Sequence, residues 1–173
     1  QTVSGSFLRL TARLISNNFL PIDFLTVAKH PLAAGANNPV IFRRLIRTLE
    51  MKFLRGPRPA LGIDGLLALL PKDEIQIKEI LEFIKSKSAE FRHVITSSET
   101  SFLGLLKAHM KFAESLATTH DQIGSERLWL GDEGEVVANF ISGLMEISGA
   151  LGNIDGASYP ALLDVLLVGQ VTR

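Results

Sequence analysis

The sequence contains no cysteine in 173 residues. This absence excludes disulfide bonds, thiolate ligands for zinc or iron–sulfur clusters, and cysteine nucleophiles. Aromatic residues are scarce, at 7%, and Trp129 is the single tryptophan. Positive and negative residues balance at 18 each, so the chain is not a uniformly basic nucleic-acid-binding domain. A local basic patch is still compatible with this balance.

Long apolar runs are also missing. A membrane-spanning helix needs about 18 apolar residues, and the longest candidates, Leu66–Pro71 and Leu162–Val168, are much shorter. The segment Gln1–Asn17 lacks the basic start and apolar block of a secretory signal. We therefore expect no membrane partner. The chain begins without methionine and stops at Val171-Thr172-Arg173, which we interpret as a piece of a larger protein.

What the sequence does contain is helical periodicity. Hydrophobic residues make up 46% of the chain and recur at steps of three and four residues, which is typical of amphipathic helices around a core. Clean alternation of polar and apolar residues, as in strands, is absent. The pattern predicts an all-α fold of about seven or eight helices in one domain over 1–173, with the Gly- and Pro-containing segment 56–65 as a candidate hinge. The predicted helices begin near Ser4, Pro21, Pro39, Asp64, Asp73, Ser98 or Thr100, Asp132 and Tyr159.

The strongest local signal is a basic cluster between Arg43 and Arg58. Six basic residues and one acid, Glu50, fall in this segment. Guanidinium groups bind phosphate well. Phe42 and Phe53 fall on the apolar stripe of the predicted helix rather than among the basic side chains, so the cluster favours contact with a nucleic-acid backbone over base stacking. A solvated arginine surface is the alternative interpretation. The candidate contact residues are Arg43, Arg44, Arg47, Arg55 and Arg58.

The backbone-contact hypothesis makes two geometric predictions. On a helix running from Pro39 to about Leu54, the arginines should face solvent while an apolar stripe on the opposite side is buried. Glu50 lies three residues after Arg47 and should pair with it weakly enough to leave Arg47 available. The stripe consists of Phe42, Leu45, Leu49 and Phe53.

Catalytic and metal-binding patterns are not recognisable. The phosphate loop and the nucleophile elbow are both absent. The histidines at 30, 93, 109 and 120 never show the i, i+4 spacing of a helical zinc site, and we expect His93 and His109 to be surface or partly buried residues. Asp132 and Glu133 are interpreted as acids at a helix N-terminus, and Trp129 as a core anchor. The sequence thus predicts no catalytic residue, no metal and no cofactor. A separate hypothesis is that the chain is an independent enzyme whose site cannot be recognised in the sequence.

Five sequence blocks stand in order along nearly the whole chain. The blocks are Ser4-Gly-Ser-Phe-Leu-Arg-Leu10, Lys29-His-Pro-Leu-Ala33, the stretch 47–62 with Leu54-Arg-Gly-Pro-Arg-Pro59, Leu128-Trp-Leu-Gly-Asp-Glu-Gly-Glu135, and the stretch 159–169. Together they resemble segments of the AddB subunit of bacterial double-strand-break repair helicase–nucleases, in its alphaproteobacterial form. Val3, Val27 and Ala28 depart from the family pattern but occupy no catalytic position.

The resemblance implies a helical subdomain inserted into a superfamily-one helicase-like subunit. It implies a cytoplasmic parent that belongs to an ATP-dependent helicase/exonuclease, with DNA and an AddA-like helicase–nuclease subunit as partners. The family's nuclease motif and cysteine-held cluster would lie outside this segment. The leading hypothesis is therefore a non-catalytic subdomain that contacts the DNA backbone and neighbouring domains. The alternative is a purely structural protein-interaction domain, in which the basic helix meets an acidic protein surface.

Overall fold

The computed structural model describes residues 2–169 and is all-α over that range, which confirms the predicted fold class. The described residues form nine α-helices, one more than the eight starts marked on the sequence, because the short helix at Gly124 was not predicted. Residues Thr100–Ser101 (β1) and Asn153–Ile154 (β2) form one small antiparallel pair. The helices are α1 Val3–Ser16, α2 Pro21–Ala28, α3 Pro39–Phe53, α4 Ile63–Ala68, α5 Ile75–Ile95, α6 Phe102–Ala117, α7 Gly124–Leu128, α8 Gly131–Ile147 and α9 Tyr159–Val168.

Local capping chemistry sets where the helices begin. The Thr2 hydroxyl caps α1, so Ser4, the predicted cap, lies inside the helix and instead donates its hydroxyl proton to the Leu128 carbonyl. Ser101 caps α6, whereas the sequence predicted Ser98 or Thr100. The sequence therefore places helices more accurately than it places their first residues. The C-terminal Val171–Arg173 lies outside the described residues.

Helix α1 is the centre of the packing. It contacts α2, α5, α6, α8 and α9, and it buries Phe7, Leu8 and Leu14 almost completely. The Arg9 guanidinium also pairs with Asp164 on α9 at 2.6 Å. None of the helices over residues 2–169 combines the length and the apolar character that crossing a membrane would require.

His109 on α6 is fully buried, so the prediction of a surface or partly buried histidine was wrong for this residue. Its Nε2 lies 2.8 Å from the Thr11 hydroxyl and its Nδ1 lies 2.8 Å from the Tyr159 hydroxyl. The Phe91 ring stacks on the imidazole with centroids 4.7 Å apart. The three polar groups therefore form one closed network inside an apolar core.

The network fixes which nitrogen of His109 carries the proton. The Thr11 hydroxyl lies 2.9 Å from the Phe7 carbonyl oxygen and donates its single proton to the main chain. The Thr11 hydroxyl oxygen therefore accepts a hydrogen bond from the Nε2–H of His109. The Tyr159 hydroxyl then donates to Nδ1. Burial lowers the pKa of His109 to about 3 and raises the pKa of Tyr159, so both groups are neutral near pH 7. The network is a structural element without access for a substrate.

Segment 56–65, the candidate hinge, already contains the first turn of α4. The Gly62 N–H donates to the Asn18 carbonyl at 2.9 Å, which ties this segment to the end of α1. Gly62 has a φ of +90°, a backbone conformation that favours glycine. Whether the segment bends stays a prediction.

Candidate functional site

The basic cluster is displayed by α3. The Asn38 side chain caps this helix by accepting from the Val40 N–H at 2.9 Å, and Pro39 occupies its first position. The apolar stripe packs into the core as predicted at Phe42, Leu45 and Leu49, whereas Phe53 at the helix end is only half-buried. The opposite side of α3 is therefore directed to solvent.

All five candidate arginines are exposed. The geometric prediction, which concerned Arg43, Arg44, Arg47 and Arg55, is confirmed for solvent exposure. Arg43, Arg44 and Arg47 project from α3 itself. Because α3 ends at Phe53, Arg55 lies just past the helix rather than on it, and Arg58 lies in the following loop. We call these five residues the arginine surface.

The arginine surface carries uncompensated charge. Within residues 2–169, no carboxylate lies within 4.0 Å of these five guanidinium groups, and none of the five donates a side-chain hydrogen bond there. The other described arginines all have polar partners inside the protein. Those are Arg9 with Asp164, Arg13 with Asp23, Arg92 with Ser88, and Arg127 with main-chain carbonyls.

The predicted Arg47–Glu50 pair does not form. Glu50 instead pairs with Lys29, whose Nζ lies 2.7 Å from its Oε2. Lys29 directly follows the last residue of α2, and α2 packs against α3. Tertiary packing therefore places a cation beside Glu50 that the spacing along α3 could not predict. The correction leaves Arg47 without this partner.

An open groove of about 380 Å³ runs between the end of α2 and the side of α3. Ala28, Ile46 and Met51 give it aliphatic walls. Its other lining residues are charged: Lys29, Arg43, Arg47, Arg55 and Glu50. Four cations and one acid thus surround an apolar strip, which suits a ligand with both anionic and apolar groups.

Arg127 extends the positive charge beyond α3, and sequence spacing could not predict this position. Its guanidinium donates to the Leu32 carbonyl at 2.9 Å and to the Ala117 carbonyl, which fastens the loop after α2 to the end of α6. Burial, and next the positive charge of nearby Arg43, lower the pKa of Arg127. The like charges are therefore close enough to interact.

The remaining sequence candidates lie elsewhere. Asp132 and Glu133 occupy the first turn of α8, as interpreted from the sequence. Trp129 is half-buried against the core, and its indole N–H donates to the Glu114 carboxylate at 2.8 Å. In the described part of the chain, no three His, Asp or Glu side chains gather in a way that could hold a metal ion.

The arginine surface and its groove are thus the feature best suited to binding. Comparison with known proteins adds no relative that could assign a ligand to it. No family model, no curated protein and no solved structure matches the chain.

Proposed function

We propose that the chain is a non-catalytic helical subdomain of an AddB-like subunit of a double-strand-break repair helicase–nuclease, and that the arginine surface contacts the DNA backbone. The observation that carries the DNA-contact part of this proposal is the set of five exposed guanidinium groups without a carboxylate partner in residues 2–169. The AddB-like parentage rests on the five sequence blocks alone. Guanidinium forks match phosphate oxygens, and every neutralised phosphate releases counterions.

The dimensions of the arginine surface support contact with several phosphates. From Arg43 to the end of α3 at Phe53 the helix advances roughly 15 Å at about 1.5 Å per residue. One DNA strand rises about 3.4 Å per nucleotide, so this length matches about four nucleotides. Aliphatic Met51 lies among the arginines and no aromatic ring lines the groove. The expected contacts are therefore to phosphate and sugar, and independent of base sequence.

A protein partner with an acidic surface is the second candidate. Val40 is 70% exposed and Met51 46% exposed, and both lie on the side of α3 that carries the arginines. Exposed aliphatic groups between charges are common at protein interfaces. Such a partner would be a neighbouring domain of the parent or an AddA-like subunit.

Replacing Arg43, Arg44 and Arg47 together with alanine is expected to weaken DNA binding on every sequence. The slope of log K against log salt should flatten by about 0.9 for each lost contact. Folding should stay intact, since exposed substitutions usually change stability by less than about 0.5 kcal/mol each. Fluorescence anisotropy with two unrelated labelled duplexes at several salt concentrations measures both effects.

A triple variant of Lys78, Lys87 and Lys107 to alanine is the matched control. These lysines are exposed on α5 and α6 and lie outside the groove, and their loss removes the same charge. If both triple variants change binding equally, the effect is general charge and the DNA-contact proposal is wrong. The acidic-protein candidate would then replace it.

A further inference from the structure

We propose that Glu50 is an internal counter-charge of the groove, and that its ion pair with Lys29 withholds one cation from DNA and so limits the affinity. This inference rests on the proposed function and concerns the regulation of the same site. It assigns a role to the one acid among the described residues that line the groove.

The position of Glu50 supports this role. Its side chain is 28% exposed and lines the groove together with Arg43, Arg47 and Arg55. None of these three arginines lies within ion-pair distance of it, and its Oε2 pairs with the Lys29 Nζ at 2.7 Å. The negative charge therefore sits where an incoming phosphate would approach the arginines.

A phosphate in the groove would meet Glu50 in two ways. It would be repelled by the carboxylate, and it would compete with that carboxylate for the Lys29 ammonium. The Lys29 side chain is 53% exposed, so its ammonium can reach a phosphate once the charge of Glu50 is removed. Removing the charge of Glu50 should thus both end the repulsion and release Lys29 for a further phosphate contact.

The pair between Lys52 and Glu74 provides a matched comparison. Its Glu74 side chain is 27% exposed, close to the value for Glu50, and the nitrogen–oxygen distance is 3.9 Å. Neither residue lines the groove. Glu50→Gln and Glu74→Gln therefore remove the same charge and release one lysine each. The two variants differ in location, because Glu50 lines the groove and Glu74 does not.

The test titrates the labelled duplexes with wild type, E50Q and E74Q at several salt concentrations. We expect E50Q to bind about eightfold more tightly than wild type near 0.1 M salt, with a slope steeper by about 0.9, as one added phosphate contact requires. We expect a much smaller gain for E74Q. Adding K29Q to E50Q should return the slope to the wild-type value, whereas K29Q alone should leave the slope unchanged.

The outcomes distinguish a failure of the Glu50 role from a failure of the proposed DNA contact. If E50Q and E74Q behave alike while the triple arginine variant still loses binding, the counter-charge role is overturned and the DNA-contact proposal stands. The same holds if K29Q fails to reverse the gain of E50Q. If the triple arginine variant matches its lysine control, the proposed function fails and the inference fails with it. Thermal melting of each variant confirms that the fold is kept.

Discussion

Replacing Gly124 with alanine is expected to destabilise the fold by about 3 kcal/mol or more. This glycine opens α7, where the two backbones of α6 and α7 touch. An added Cβ would lie 1.6 Å from the Glu114 carbonyl oxygen and 2.9 Å from the Thr118 hydroxyl oxygen. Because the first obstacle is main chain, no side chain can swing away, and the two helices would have to separate. Urea unfolding of the variant measures the loss.

Gly143→Ala on α8 is the control for this prediction. Gly143 is exposed, helical and has no atom within 4 Å of the Cβ position. Alanine there should stabilise the protein by about 0.5–1 kcal/mol, because it restricts the unfolded chain and favours helix. Equal stability of both variants would contradict the close approach of α6 and α7.

Lowering the pH from about 8 to about 5 is expected to destabilise the protein by about 2 kcal/mol through His109 alone. The folded state holds this imidazole neutral, with its pKa lowered to about 3, whereas in the unfolded chain the pKa is near 6.5. Below pH 6.5 the imidazole of His109 is therefore protonated in the unfolded state and neutral in the folded state. Stability is full above the unfolded pKa and falls as the pH drops toward the folded pKa.

Urea unfolding across this pH range, with two histidine variants, tests the assignment. His109→Gln should be less stable at neutral pH but flatter toward acid, because the titrating group is gone. His93→Gln should keep the full acid sensitivity, since His93 is exposed. Half-buried His30, whose pKa is also lowered by burial, adds a contribution of the same sign and leaves some slope in every variant. Parallel profiles for wild type and His109→Gln would show that the buried network is not the cause.

The sequence predicted the features that depend on the residue pattern of a single helix. The period of Phe42, Leu45 and Leu49 fixed which side of α3 is buried, and so which side presents Arg43 and Arg47. That prediction needed no knowledge of the neighbouring helices. The exposed side of α3 was therefore predicted correctly, while the binding role of its arginines stays a proposal.

What the sequence could not predict depends on contacts between distant residues. His109 is neutral and buried because Thr11 and Tyr159, 98 and 50 residues away, satisfy both of its nitrogens. Glu50 takes Lys29 as its partner because α2 packs beside α3. Helix α7 is five residues long, and its glycine is favoured by close contact with α6 rather than by helix propensity. Spacing along one helix contains none of this information.

The central place of α1 has a consequence for synthesis on the ribosome. Its apolar side is covered by α5, α6 and α9. Its polar side chains form hydrogen bonds or ion pairs with His109, the Leu128 carbonyl and Asp164. Translation proceeds at about 5–20 residues per second, so α9 is complete roughly 8–30 seconds after α1. During that interval the side of α1 that α9 covers has no partner. The nascent chain should accordingly be a substrate for holding chaperones until α9 is complete, and slowing translation should increase its aggregation.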